Sequence, residues 1–278
     1  SSGYLGKGLV ARLRHSHPDI QILGIDIAPP ANDCDCDFAI LDMCSPTLES
    51  VLRRFAPDTV VHMGFIVAPV HDERHMYRVN VGGTENVLSA VAALRPARCL
   101  LASSATALGA WPDNPVPMDD WHVAADRPVF SYASHKHELE QRFVAFAQQY
   151  PEIAVSWVRP CIVGGPNMDN YLRRVLIGTP LTALLDGSDA PLQLVHEDDV
   201  SAAVEHILLA EGRGPYNIAP PDWMPLSAIT AQIKRPTIRL PFCLARWMAG
   251  LAWLVRFPLH EYPPAFLYFV RYPWVVAP

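Results

Sequence analysis

Charged residues make up only 18% of this 278-residue chain, and no lysine- or arginine-rich run occurs in it. With a formal net charge of −6, that argues against a nucleic-acid partner. The six cysteines, Cys34, Cys36, Cys44, Cys99, Cys161 and Cys243, lack the spacing of a disulfide framework, so a reducing, cytoplasmic setting is expected. Asp33-Cys-Asp-Cys-Asp37 has no second ligand pair at metal-site spacing; it reads as a polar loop and no metal is expected. Residues 240–257 are almost wholly apolar, but Arg246 and Arg256 interrupt them and Pro241 and Pro258 flank them. Those features weigh against a membrane span, and a membrane contact there is the lesser reading. A buried or interfacial helix is the expectation.

What is present is an apolar half, 50% of residues, ample for the core of a layered α/β domain. Ser131-Tyr132-Ala133-Ser134-His135-Lys136 sets a tyrosine and a lysine four apart, which puts phenol and ammonium on one helical face. A nearby ammonium favours phenolate and would let Tyr132 exchange protons with an alcohol or ketone. Residues 1–8 read as the end of a glycine-rich phosphate loop, with Gly3, Tyr4, Leu5 and Gly6 at the start of a helix that would receive a pyrophosphate. Twenty residues beyond Gly6, a β-branched run ends in Asp26, placed to accept both ribose hydroxyls and to repel a 2′-phosphate. NAD is therefore expected rather than NADP. Ser104, in Leu100-Leu-Ala-Ser-Ser-Ala-Thr106, would end a strand at the same sheet edge and hydrogen-bond a substrate carbonyl, with Ser103 facing the opposite side and Thr106 as second choice.

Several stretches carry a resemblance in register: Ile40-Leu-Asp-Met43, Val60-Val-His-Met-Gly-Phe65, Asn80-Val-Gly-Gly-Thr-Glu-Asn86, Leu100 to Gly109, Arg159-Pro-Cys-Ile-Val-Gly-Gly-Pro166, Val195-His-Glu-Asp-Asp-Val200 and Tyr216-Asn-Ile218. Over residues 1 to about 220 the chain resembles an extended short-chain dehydrogenase/reductase of the NAD-dependent epimerase/dehydratase family. The resemblance implies an α/β fold, a doubly wound parallel sheet of Rossmann type, with a small C-terminal substrate lobe. It implies a dinucleotide-binding domain over 1–160, completed near 190–220, and a substrate-binding part mainly over 161–278. It also implies catalysis by Ser104, Tyr132 and Lys136, and cofactor contacts from Asp42, Met43, Gly64, Asn80, Tyr132, Lys136 and Pro160 in addition to the glycine loop and Asp26. His62 and His196 are expected to be structural, and His135 to face solvent or a neighbouring helix.

Two departures from the family pattern shape the expectations. The chain opens inside the loop that follows the family's first strand, so that strand is expected ahead of Ser1, and a further helix is expected beyond Pro278. Nucleotide-sugar epimerases usually carry asparagine where Ile162 stands and often tyrosine where Leu108 stands; dehydratases carry an acidic pair where Ala105-Thr106 follows Ser104. The function expected is an NAD-dependent oxidoreductase or epimerase moving hydride between nicotinamide and a secondary alcohol or ketone, with a nucleotide sugar or an apolar alcohol as substrate. A nucleotide-sugar 4-epimerase with tightly held NAD is the alternative within the enzyme class, and a catalytically idle NAD-sensing protein the alternative outside it. A homodimer is compatible with either.

Overall fold

The computed structural model describes residues 1–30, 36–127, 130–168, 173–174, 181–257 and 262–278. Residues 33–35 of the polar loop and Pro258 lie outside these. The central sheet has four parallel strands in the order β10 (Gly214–Ile218), β5 (Ala154–Pro160), β4 (Arg98–Ala102) and β3 (Thr59–His62). Strand β1 (Leu23–Asp26) pairs in parallel with β2 (Asp37–Ile40) in a ladder of its own, so β1 and β3 each keep one edge outside any ladder with the other.

Parallel strands are covered on both faces and therefore read as unbroken apolar runs rather than alternating ones. In β4, Cys99, Leu100 and Leu101 are all fully buried for this reason. Alternation then sorts them: Cys99 and Leu101 join Val155 and Trp157 beneath α2 (Leu48–Phe55), α4 (Thr84–Leu94) and α5 (Ser131–Gln149). Leu100 and Val158 face the other way, onto α1 (Tyr4–Ser16) and α6 (Glu197–Leu209) through Leu9, Val200, Val204 and Ile207. Helices on both faces of a parallel sheet make this the doubly wound fold expected. The Asn80 motif lies in a π-helical turn, Arg78–Gly83, joining α3 (Glu73–Tyr77) to α4.

The C-terminal lobe is assembled from short pairs: β6 (Ile162–Gly164) with β9 (Leu194–His196), β7 (Thr182–Leu185) with β12 (Thr237–Leu240), and β8 (Pro191–Leu192) with β11 (Met224–Pro225). Its core joins Leu108, Met118, Phe130, Ile162, Phe269 and Trp274. The final stretch is bound into that core. Met118 donates its N–H to the Val275 carbonyl at 2.9 Å, and buried Gln193 holds both backbone groups of Val276 at 2.8 and 2.9 Å. The apolar run at 240–257 folds as α8 (Phe242–Leu254), after the short α7 (Leu226–Gln232); it buries Phe242, Ala245 and Ala249 and leaves its opposite face exposed. It is thus half-buried, and no described helix is long and apolar enough to cross a membrane.

Candidate active site

Strands β1, β3, β4 and β5 end at one edge of the molecule, where doubly wound folds place ligands. At the end of β4 the chain leaves the sheet at Ser103-Ser104 and turns through a 3-10 segment, Ala105–Leu108. Ser104 Oγ caps that turn, accepting from the Thr106 N–H at 3.2 Å and from the Thr106 hydroxyl at 2.9 Å. Tyr132 stands in the first turn of α5, with both hydroxyls beside its phenol. Its ring is walled by Phe65, edge-on with centroids 5.5 Å apart, and by Phe130, stacked at 6.1 Å. Phe130 in turn packs against Phe266 and Phe269 of the lobe, which continues the aromatic wall.

One turn further along α5, Lys136 is 3% exposed; its Nζ donates to the Ala102 carbonyl at 2.6 Å and sits 3.5 Å from the centroid of the Phe65 ring. It stands 5.9 Å from the Tyr132 ring centroid. The shared helical face is as expected, but the expectation that Lys136 draws the phenol down is corrected by the surroundings. Burial pushes Tyr132 above its ordinary value, and the Ser104 and Thr106 hydroxyls offset only part of that. Burial likewise pulls Lys136 down to about 7, with the Glu140 carboxylate opposing the shift. The desolvation of a dry pocket outweighs the mutual attraction the sequence spacing suggests.

Beneath this pair lies a buried network that the sequence reading missed. Glu140 accepts from Arg159 of β5 through Nε at 2.8 and 3.0 Å and through Nη2 at 2.5 Å, and it accepts the Ser103 hydroxyl in a short bond. Both partners are nearly sealed, with side chains 6% and 11% exposed. Arg159 Nη1 donates to the Asp120 carbonyl at 2.7 Å, and Asp120 Oδ1 accepts the Asn217 N–H of β10 at 2.6 Å. A signal was present: Tyr132, Lys136 and Glu140 recur every four residues on one helix face, and a charged residue in an otherwise apolar strand requires a counter-charge. Ser103 is buried on Glu140, whereas Ser104 caps the turn that follows β4.

The proposed cofactor residues lie along the same edge, with roles divided between backbone and side chain. Helix α1 begins at Gly3 without a side-chain cap or an acidic residue in its first turn, so its leading N–H groups remain suited to an anion. A Cβ at Gly6 would stand 2.9 Å from Ser1 Cα, while one at Gly3 would meet nothing within 4 Å: the loop is drawn tight on one side and open on the other. This cradle fits a pyrophosphate. The side chains of Tyr4 and Leu5 have protein surroundings of their own. The Tyr4 phenol turns to the Glu197 carboxylate at the start of α6, which with burial pushes its pKa up, and Leu5 packs in the core. Asp26 accepts the Ser2 N–H at 2.8 Å and the Ile27 N–H at 2.9 Å, tying the end of β1 to the glycine loop. Although burial opposes it, these donors hold its carboxyl below the usual range.

Asp42 is exposed and accepts the Cys44 N–H at 2.8 Å, closing a small turn. Met43 lies under Gly64 and Gly83, where an added Cβ would stand 3.3 and 2.8 Å from its side chain. Asn80 is fully buried rather than open to a ligand: it accepts the Ile66 N–H at 2.7 Å and donates to the Ile66 carbonyl at 3.1 Å, fixing the loop after β3. His135 is buried against Asn80 and Tyr77, facing the neighbouring helix. Pro160 closes β5 inside the ladder with Ile218. His62 bonds Thr84 at 2.9 Å, and burial with the nearby Lys136 charge brings it down to about 3, so it stays neutral and structural. Exposed His196 caps α6 through the Asp198 N–H. Among the described residues no cluster suited to a metal ion occurs. Cys44, Cys99, Cys161 and Cys243 are free thiols, whereas Cys36 is disulfide-bonded, against the expectation of thiols throughout.

Comparison with known proteins agrees with this fold. The description "NAD dependent epimerase/dehydratase family" matches residues 1–219. The chain belongs to that family. Its cofactor is accordingly NAD. Uncharacterized protein Rv0501 of Mycobacterium tuberculosis is 30% identical over 248 residues, spanning 86% of this chain and 65% of the relative. Uncharacterized protein Rv2047c of the same organism is 25% identical over the whole chain, which covers 27% of it. The chain thus spans less than two thirds of the length of these curated relatives. Among solved structures, MoeE5 in complex with UDP-glucuronic acid and NAD has a TM-score of 0.71 at 22% identity, covering 86% of this chain and 83% of that one. The UDP-glucose 4-epimerase of Thermus thermophilus in complex with NAD gives 0.67 at 21%, with the same coverages. The structure of gox2253 gives 0.75 at 19%, covering 99% and 87%. At these identities the likeness establishes the fold.

The buried charges generate two predictions. Glu140→Ala should lower unfolding free energy by about 3–5 kcal/mol, because it leaves the Arg159 guanidinium sealed without a counter-charge. A loss of under about 1 kcal/mol in urea titration would show that the pair is not a structural tie. Lys136 binds its proton more weakly when folded than when unfolded, so its destabilising effect is full below about pH 7 and fades as pH rises toward its ordinary value of 10.5. The urea midpoint of Lys136→Met, minus that of the parent, should therefore fall steadily between about pH 7 and 10. A difference that does not change with pH would contradict the burial of a shifted lysine.

Proposed function

We propose that the chain is an NAD-dependent oxidoreductase or epimerase of the extended short-chain dehydrogenase type, acting on a secondary alcohol or ketone through Ser104, Tyr132 and Lys136. The observation that carries this reading is the Tyr132 phenol, beside the Ser104 and Thr106 hydroxyls in an aromatic wall, with Lys136 one helical turn on. The first-turn N–H groups of α1 would hold the pyrophosphate, Asp26 the adenosine ribose, and Lys136 the nicotinamide ribose. Met43 and Gly64 would line the adenine side, with Asp42 beside them, while Asn80 acts only by fixing the loop through Ile66. When bound, NAD supplies the nicotinamide carbon that gives or takes hydride.

The chain's own residues handle the proton. With its pKa raised by burial, Tyr132 rests as the neutral phenol and is poised to give the proton at Oη to a substrate oxygen as that oxygen gains charge. The Ser104 hydroxyl, whose oxygen accepts from Thr106, is free to donate to the phenol oxygen and would stabilise the phenolate left behind. In the reverse direction the phenolate takes the proton from the alcohol. Phe65, Phe130 and Phe266 keep water from the ring and present an apolar wall to the substrate.

That wall, with Ile162 and Leu108 buried in the lobe core, supports an apolar alcohol or ketone. A nucleotide-sugar 4-epimerase is the second reading, favoured by the structural likeness to UDP-glucose 4-epimerase. Release of NADH during turnover supports the first, and NAD retained through turnover the second. Tyr132→Phe should reduce turnover by about 10²–10⁴-fold while leaving NAD affinity nearly unchanged, since the phenol acts on the substrate proton. Near-normal turnover by that variant would assign the acid to another group. Asp26→Ala should narrow the preference for NAD over NADP by about tenfold, or about 1.4 kcal/mol, in calorimetric titration; tighter NADP binding by the parent would overturn the role of Asp26.

A further inference from the structure

The C-terminal lobe presents an apolar face that the site does not use. On α8, opposite the buried Phe242, Ala245 and Ala249, Trp247 is 66% exposed, Leu251 48% and Leu254 78%. Exposed apolar side chains scattered singly are ordinary, but a whole helix face of them marks a contact surface. A helix apolar on both sides belongs in a core or in lipid. The roll of α8 is fixed: Trp253 stacks on His71 of the loop after β3 at 3.9 Å between centroids, and Phe242 sits edge-on to Tyr268.

Charge indicates what covers this face. Between Trp223 and Phe257 the chain has five basic residues, Lys234, Arg235, Arg239, Arg246 and Arg256, and no aspartate or glutamate, although the whole chain carries a net charge of −6. Arg239 and Arg256 are exposed and flank α8 in sequence. A cavity of about 330 Å³ lined by Phe242, Cys243, Arg246, Trp247 and Pro264 lies on the same helix, setting a guanidinium among apolar groups. A second copy docked by two-fold symmetry would place these cations against one another without an acid from the same stretch to pair with them. An anionic lipid surface complements both features: acyl chains take the apolar side chains, and phosphates take the arginines, whose stems reach outward while their bodies stay in contact with apolar surface.

We propose that this face is a membrane-surface contact, with α8 lying in the headgroup region of an anionic phospholipid bilayer, Trp247, Leu251 and Leu254 inserted and Arg239 and Arg256 on lipid phosphates. At 13 residues the helix lies on the bilayer and does not span it. The proposal concerns location and stands apart from the catalytic reading.

The test is flotation of the intact protein with vesicles of phosphatidylcholine containing about 40 mol% phosphatidylglycerol, and with vesicles of phosphatidylcholine alone. Partition into the anionic vesicles should exceed that into the neutral ones by about tenfold or more and weaken with salt. A triple variant, Trp247→Ser with Leu251→Ser and Leu254→Ser, should lose flotation while keeping the parent's circular dichroism and melting curve. Arg239→Glu with Arg256→Glu should lose the preference for anionic lipid. The proposal is overturned if the parent floats with neither vesicle. It is equally overturned if sedimentation shows a dimer that the serine variant dissolves, since the face would then be covered by a second copy.

Discussion

The carboxylate of Glu140 and the guanidinium of Arg159, sealed between α5 and β5, hold the site in register. A buried ion pair of this kind gives little net stability over an apolar pair, but its rupture is costly, which makes it a tie between the elements that carry it. Glu140 also takes the Ser103 hydroxyl. Ser103 stands between Ala102, whose carbonyl receives Lys136, and Ser104, whose hydroxyl lies beside the Tyr132 phenol. Three successive contacts between the end of β4 and α5 are therefore referred to one fixed point. Through Asp120 the same network reaches Asn217 on β10 and, by the Asn217 side chain, the Met118 carbonyl of the lobe. The lobe that walls the phenol and the helix that bears it share this anchor.

The dinucleotide end depends on a different constraint, the close approach of backbone to backbone. The first turn of α1 lies so near Ser1 that Gly6 admits no side chain, and Gly24 is equally crowded, with an added Cβ only 2.6 Å from Ser1 Oγ. Asp26 then fixes the loop from the strand side through the Ser2 N–H. Helix dipole, uncapped N–H groups and a carboxylate at the strand end are thereby arranged along one edge.

Much of this was legible in the sequence because it rests on local periodicity. The family motifs located β3, β4 and the end of β5, and the four-residue spacing of Tyr132 and Lys136 placed both on one helix face. Ser104 was preferred to Ser103 because Ser104-Ala-Thr-x-x-Gly109 lines up with the family's pattern. What could not be read was the balance of burial against charge: spacing shows that an ammonium is near a phenol, but the direction of each pKa depends on how dry the pocket is. Phe65 and Phe130, which make it dry, come from segments far apart in the chain. Asn80 sits in a recognisable motif, yet only the fold reveals that its amide is spent on Ile66. The same holds for Glu140, whose partner Arg159 becomes visible once α5 is laid on β5.

The central claim is that Asp26, the start of α1, Lys136, Tyr132 and Ser104 form one continuous NAD site along the carboxyl edge of the sheets. A crystal structure of the full-length protein with NAD tests it most directly. The account predicts the adenosine ribose on Asp26, the pyrophosphate over Gly3 and Gly6, and the nicotinamide ribose at Lys136, with the ring facing Ser104 and Tyr132. A dinucleotide bound elsewhere, or with its nicotinamide turned away from the Tyr132 phenol, would contradict it.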